Sequence, residues 1–350
     1  MIAMAAVLST TPRLLRPLLA VVAASLVLAG CAAQYALPGP TVSAPVEVRD
    51  AFVMRDGGRL PFREWRPADP PWAVVLALHG MNDSRDAYEI PGPELAGAGI
   101  DVIAPDQRGF GQAPGRGLWP STAGLVADAA EMTALVRAAH PGVKVFLMGE
   151  SMGAAVLMCL ATSPLGPPVD GYVLLAPAVW GRAEMNVFLR ATLYVAARTV
   201  PGLTFAGAPG VKITASSNRD ALIRLSRDPL TLRRTRVDAI RGLVDLMDAA
   251  LAAAPRVGGP NTPPTLFLYG GHDELVPPRA TAATWTRLPP GAKRAFYPDG
   301  YHLLLRDLDR ATVLGDVIAW MHDPRAPLPS GAEQAARAWL AKRAANGDAD

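Results

Sequence analysis

Ser151 stands between Gly149 and Gly153 in Gly149-Glu150-Ser151-Met152-Gly153, a pentapeptide that follows the apolar run at residues 143–148 and opens an Ala-rich helical segment. Glycines two residues either side of a serine permit a strand-to-helix turn tight enough to hold the side chain clear of the backbone, the arrangement of a nucleophile elbow. The pentapeptide alone also arises by chance in loops, so its strand-turn-helix setting carries the weight. A serine hydroxyl is a poor nucleophile at neutral pH and requires a base that is itself oriented by an acid. Tyr269-Gly270-Gly271-His272-Asp273-Glu274-Leu275-Val276 follows an expected strand and places Asp273 at its C-terminal end, where the chemistry of α/β sheets collects. Asp273 is the candidate acid, set against the common alternative of a turn or capping aspartate.

The chain has five histidines, so the base is assigned largely by elimination. His140 and His322 close helical segments, His79 precedes the nucleophile, and His272 adjoins Asp273. His302, in Asp299-Gly300-Tyr301-His302, sits after the last expected strand, from where an imidazole can reach across the top of a sheet. The transition state also needs donors for a developing oxyanion. Met152 offers its backbone N–H at a helix start. Met81, in His79-Gly80-Met81-Asn82 after the run at 73–78, is the best second donor, and both methionine side chains read as ordinary pocket lining.

These residues must be carried by an alternating framework. Apolar runs at 73–78, 100–104, 143–148, 172–175, 265–269 and 295–297 read as buried strands, and segments at 85–98, 121–140, 152–162, 279–288 and 303–321 as helices. Two further strands, 51–55 and 60–65, flank the turn Asp56-Gly57-Gly58 as a hairpin. The alternation predicts a mainly parallel, doubly wound α/β sheet over residues 49–176 and 264–323. Residues 177–263 break the rhythm with helical patterns and no clear strand. Roughly 85 residues is too long for a crossover, and we read the segment as an inserted helical cap. The tail at 324–350 is Ala-rich and predicts one further surface helix.

The first thirty residues combine Arg13 and Arg16 with an apolar stretch at 18–29, the pattern of a signal peptide. It ends Leu28-Ala29-Gly30-Cys31, which resembles the bacterial lipobox and marks Cys31 as a lipid anchor. A plain membrane anchor or an ordinary cleaved signal is the alternative. Ala32 is not the aspartate linked to inner-membrane retention, so the expectation is outer-membrane attachment in a Gram-negative source. Residues 31–48 are Pro- and Ala-rich and read as a tether. Without Arg13 and Arg16, the 34 basic residues fall to 32 against 31 acidic ones, a balance that argues against nucleic-acid binding. Cys159 is the only other cysteine, so no intramolecular disulfide is expected in a lipidated chain, and Cys159 reads as a small buried hydrophobe.

The order Ser, Asp, His on alternating units, with His79-Gly80 before the first helix and Asp106-Gln107-Arg108-Gly109-Phe110-Gly111 after the next strand, resembles the α/β-hydrolase superfamily. Within it the chain resembles the monoacylglycerol lipase and lysophospholipase group, also called serine aminopeptidase-like hydrolases, over about residues 51–321. The resemblance implies the α/β-hydrolase fold, a triad of Ser151, Asp273 and His302, an oxyanion hole from Met81 and Met152, and no metal or organic cofactor. Two departures loosen the substrate assignment. Glu150 stands where many monoacylglycerol lipases have histidine, and Ala154 where they have a second glycine. Glu150 reads either as a buried, hydrogen-bonded carboxylate or as part of a helix N-terminal cap.

The cap holds the only substrate clue. Val187, Phe188, Leu189, Leu193, Tyr194 and Val195 form an apolar helix that either lines an acyl-chain tunnel, with Val187, Phe188 and Tyr194 against substrate, or fills the cap core, the commoner fate. Arg219, Arg224, Arg227, Arg233, Arg234, Arg236 and Arg241 read as solvated faces paired with nearby aspartates, or as a docking surface for anionic headgroups. The expected activity is cleavage of lipid carboxylic esters, monoacylglycerol or lysophospholipid, through an acyl-enzyme. A carboxylesterase, thioesterase or aminopeptidase of the same fold and a non-catalytic envelope lipoprotein are the alternatives. Nothing in the sequence sets an oligomeric state.

Overall fold

The apolar runs become the strands of one nine-stranded sheet in the computed structural model of the chain, which describes residues 32–206 and 213–346. The segment read as a signal peptide and Cys31 lie outside the described residues. In chain order the elements are β1 (Val46–Val48), β2 (Ala51–Val53), β3 (Arg59–Trp65), β4 (Ala73–Leu78), α1 (Pro91–Gly97), β5 (Ile100–Pro105), α2 (Thr122–Ala139), β6 (Lys144–Glu150), α3 (Met152–Ala161) and β7 (Gly171–Leu175). The cap follows with α4 (Val187–Thr199), β8 (Thr204–Phe205), α5 (Arg219–Arg227), β9 (Thr235–Arg236) and α6 (Val237–Ala253). The chain then returns through β10 (Thr265–Gly270), α7 (Pro278–Arg287), β11 (Lys293–Tyr297), α8 (Arg310–His322) and α9 (Ala332–Ala345).

The sheet order is β1-β2-β3-β5-β4-β6-β7-β10-β11, antiparallel through β3 against β5 and parallel from β5 onward. Such a sheet needs both faces covered. On one face α2, α3, α6 and α7 bury Met132, Leu157, Met247 and Trp285. On the other, α1 and α8 bury Leu95, Val317 and Trp320. Register decides which loops meet. Leu78 pairs with Gly149 and Glu150 with Leu175, so the loop after β4 lies beside the elbow. Gly270 pairs with Tyr297, which sets the loops after β10 and β11 side by side.

Several expectations change in the details. The helix expected at 85–98 is a 3-10 turn (Arg85–Tyr88) followed by α1, because Pro91 lacks an N–H and begins a helix instead of continuing one. The segment 303–321 likewise divides into a turn at Leu304–Arg306 and α8. The cap contains one small antiparallel pair, β8 with β9, too short to register in an apolar pattern. The segment read as a tether is built into the fold where it is described. Gln34 N–H donates to Asp238, Ala36 N–H to the Trp119 carbonyl and Gly39 N–H to Asp56, and Val46–Val48 pairs with β2. These N–H groups find their acceptors on the surface beneath.

The C-terminal helix is more than a surface appendage. Trp339 on α9 stacks on Phe296 with ring centroids 5.0 Å apart and lies 5.4 Å from Trp285 and 5.6 Å from Tyr269. Those rings belong to β11, α7 and β10, so α9 closes an aromatic cluster at the end of the sheet. Cys159 is partly buried on α3, and burial pushes its thiol up to about 12, away from reactivity.

Candidate active site

The sharpness of the elbow is visible in its backbone. Ser151 has φ 52° and ψ −110°, outside the regions that side-chain-bearing residues favour, and its N–H is fixed to the Leu175 carbonyl at 2.8 Å. The two flanking glycines are a packing requirement. A Cβ on Gly149 would lie 2.6 Å from Ala154 N, and one on Gly153 would lie 2.3 Å from the Leu78 carbonyl oxygen. Met152 is buried as the first residue of α3, so its N–H belongs to the free N-terminal donors of that helix.

Asp273 divides its two oxygens between two tasks. Oδ1 accepts from Leu275 N–H at 2.8 Å and Val276 N–H at 2.9 Å, which fixes the carboxylate plane. Oδ2 accepts from His302 Nδ1 at 2.8 Å. Because a carboxylate only accepts, Nδ1 carries the proton and Nε2 keeps its lone pair. Both residues are buried. Burial disfavours the imidazolium, but the charge and hydrogen bond of Asp273, joined by Glu150, outweigh it and raise the proton affinity of His302.

Ser151 and His302 line one cavity of about 210 Å³ together with Met81, Glu150 and Asp83, and Ala215, Leu225, Leu275 and Leu303 supply its apolar wall. Serine–histidine contacts of this kind often shorten only when substrate is bound. The arrangement offers a hydroxyl facing the cavity, a base with a free lone pair and a helix N-terminus in one place, which is the equipment for acyl transfer.

The other histidines are engaged elsewhere. His322 stacks on Trp72 at 3.9 Å, His140 Nδ1 is bonded to the Val136 carbonyl, and His272 meets Tyr301 edge-on. His79 is fully buried, its Nε2 accepting from Gln107 N–H at 3.0 Å and its Nδ1–H donating to the Gly80 carbonyl at 2.8 Å. Burial lowers its proton affinity, in keeping with this neutral form. It thereby pins the loop that carries Met81. Asn82, the next residue, has a left-handed backbone (φ 65°) held by the cap: its carbonyl accepts from Leu232 N–H at 2.8 Å and its side chain donates to Thr235 at 2.7 Å. The role of Asn82 was not evident from sequence, although Asn is among the residues that tolerate this conformation.

Of the apolar helix in the cap, Leu193 packs against the core, while the three residues read as acyl-tunnel lining are turned outward. Val187, Phe188 and Tyr194 are 67%, 80% and 59% exposed and are absent from the lining of the cavity shared by Ser151 and His302. The cause is one-sided packing: α4 lies on α6 through Ala197 and Leu193, and nothing among the described residues covers its other face. Val187 and Tyr194 instead edge a separate, larger groove of about 590 Å³ with Arg182, Arg190, Arg198 and Arg241. Of the cap arginines, Arg236 pairs with Asp238, Arg241 with Asp245 and Arg224 with Glu89.

A strained serine elbow, an Asp–His pair and their placement at the C-terminal ends of a mainly parallel sheet define the α/β-hydrolases. The chain belongs to the family described as Serine aminopeptidase, S33, whose model matches residues 69–309. It is 24% identical to the monoacylglycerol lipase of Mycolicibacterium smegmatis over 279 residues, 77% of this chain and 95% of that one. It is 27% identical to human monoglyceride lipase over 285 residues, 80% of this chain and 92% of the relative. Its fold matches the crystal structure of Paleococcus ferrophilus monoacylglycerol lipase with a TM-score of 0.62 at 24% identity, covering 75% of this chain and 98% of that one.

Proposed function

We propose that the protein is a serine hydrolase that cleaves carboxylic esters of lipids, with monoacylglycerols and lysophospholipids as the substrate class. The observation that carries this reading is the single cavity in which Ser151 and the Asp273-bonded His302 face an apolar wall. Ser151 Oγ attacks the ester carbonyl as its proton passes to His302 Nε2, and Asp273 stabilises the resulting imidazolium. The N–H groups of Met81 and Met152 receive the oxyanion. His302 returns the proton to the departing alcohol, and water, deprotonated by the same imidazole, releases the acid. The names of the similar proteins support a glyceride substrate.

The test is a kcat/KM series over glycerol monoesters, lysophospholipids, p-nitrophenyl esters and aminoacyl amides. Esters of medium and long chains should exceed acetate by about tenfold or more, since each buried methylene adds to transition-state binding. Preference for acetate, or faster cleavage of the amides, would overturn the lipid reading.

The same proposal includes a lipid on Cys31 and attachment to a cell-envelope membrane, the outer one in a Gram-negative source. Gln34 is bonded to Asp238 at the start of α6, on the order of 10 Å of chain from Cys31, so the anchor would emerge beside the cap. The exposed apolar side chains of α4, with Arg190 and Arg198 among them, suit the headgroup boundary of a bilayer. Replacing Cys31 by Ala should move the protein from the membrane to the soluble fraction and abolish palmitate labelling. Persistent labelling would remove Cys31 as the anchor.

A further inference from the structure

Arg306, Glu150 and Asp83 form a charged cluster against the site that the triad chemistry leaves unused. All three are buried. Arg306 Nη2 donates to Asp83 Oδ2 at 2.8 Å and to Glu150 Oε1. Each partner comes from a different loop: Asp83 closes the turn begun at Gly80 that carries Met81, Glu150 is the residue before the nucleophile, and Arg306 ends the short turn that follows His302. One guanidinium therefore joins the oxyanion loop, the elbow and the histidine loop. An open carbon position on Gly80 would sit 3.4 Å from Ser151 Cβ and 3.7 Å from Glu150 Oε1, which shows how closely the first two loops approach.

We propose that Arg306, Glu150 and Asp83 form a positioning bridge that holds the oxyanion donors, the nucleophile and the base in catalytic register. The proposal rests on the serine-triad reading above. A buried carboxylate beside a nucleophile is costly unless its charge is answered, and here one arginine answers two. Burial pushes the Glu150 carboxyl upward while Arg306 pulls it back, and burial opposes the charge of Arg306 while both carboxylates sustain it. With two carboxylates to one guanidinium, the bridge is electronegative. The charged groups facing His302 are Asp273 from the loop after β10, Glu150 from the end of β6 and Arg306 from its own loop. Glu150 thus adds to the charge of Asp273 in favouring the imidazolium, while Asp273 alone bonds its Nδ1. This also accounts for the glutamate at the elbow: it is a hydrogen-bonded buried carboxylate, and no side-chain cap bond marks the start of α3.

The test uses the full chain and p-nitrophenyl butyrate, a short soluble ester whose cleavage does not depend on the lipid reading, with Ser151→Ala as the blank. Glu150→Gln keeps the shape and one bond to Arg306 but removes the charge. It should move the acidic limb of the kcat/KM profile to lower pH by about 0.5 to 1 unit. Arg306→Lys, whose ammonium sits on a shorter stem and falls short of the position from which Nη2 meets both carboxylates, should lower kcat about tenfold while KM stays within about twofold. Arg306→Met should be worse than Lys, and if it fails to fold, the Glu150→Gln profile still decides. A wild-type pH profile and kcat in Glu150→Gln, whatever its melting temperature, would overturn the proposal. So would an effect of either variant confined to KM, which would make the group a substrate contact.

Discussion

Ser151→Ala should lower kcat by about 10⁴ to 10⁶ and abolish covalent labelling by a fluorophosphonate probe, with the fold intact. The size of the loss follows from the chemistry: without the hydroxyl there is no acyl-enzyme, and the base and oxyanion donors can promote only direct attack by water. The fold should survive because the elbow is imposed by its surroundings. Ser151 N–H remains bonded to Leu175, and Gly153 still packs against the Leu78 carbonyl. Equal labelling of the variant and the wild type would eliminate Ser151 as the nucleophile. Loss of labelling with a changed melting profile would be separated by circular dichroism.

Asp273→Asn should lower kcat by about 10³ to 10⁴ through the identity of the hydrogen donor rather than through distance. Oδ1 accepts from two backbone N–H groups, so the amide oxygen of asparagine would take that side and its NH₂ would face His302 Nδ1. Nδ1 must then accept, the proton moves to Nε2, and the imidazole can no longer receive the proton of Ser151. The variant also loses the charge that raises the proton affinity of His302, so the acidic limb of its residual activity should lie at lower pH than in the wild type. The same linkage acts on stability. A raised imidazole pKa stabilises the folded state fully below the unfolded value, about 6.5, and that contribution fades as pH rises through the folded value. The melting-temperature gap between wild type and Asp273→Asn should therefore narrow from pH 5.5 to pH 9 in calorimetry. A constant gap would mean that the Asp273–His302 pair is not the source.

The parts of this site that local chemistry determines were legible in the sequence. The run at 73–78 and β4 share the same bounds, and the elbow, Asp273 and His302 each follow an apolar run that becomes a strand. Strand periodicity and glycine placement are written in neighbouring residues. The bridge of Arg306 to Glu150 is not, because the partners are 156 positions apart and nothing in the surrounding residues of either names the other. The outward face of α4 was hidden for a related reason. An apolar helix announces that it can be buried, and only the placement of α6 decides which side is. Asn82 was missed because its left-handed backbone is held by Leu232 and Thr235 of the cap.

Trp339 ties the acid–base side of the site to the last helix of the chain. The rings of Tyr269, Trp285 and Phe296 gain their last partner only when α9 arrives, well after β10 and β11 have been made. Until then the end of the sheet that supports the Asp273 and His302 loops presents open aromatic surface. Synthesis of β10 and β11 therefore leaves this end of the sheet unfinished, and its aromatic cover is completed by the last helix the chain supplies.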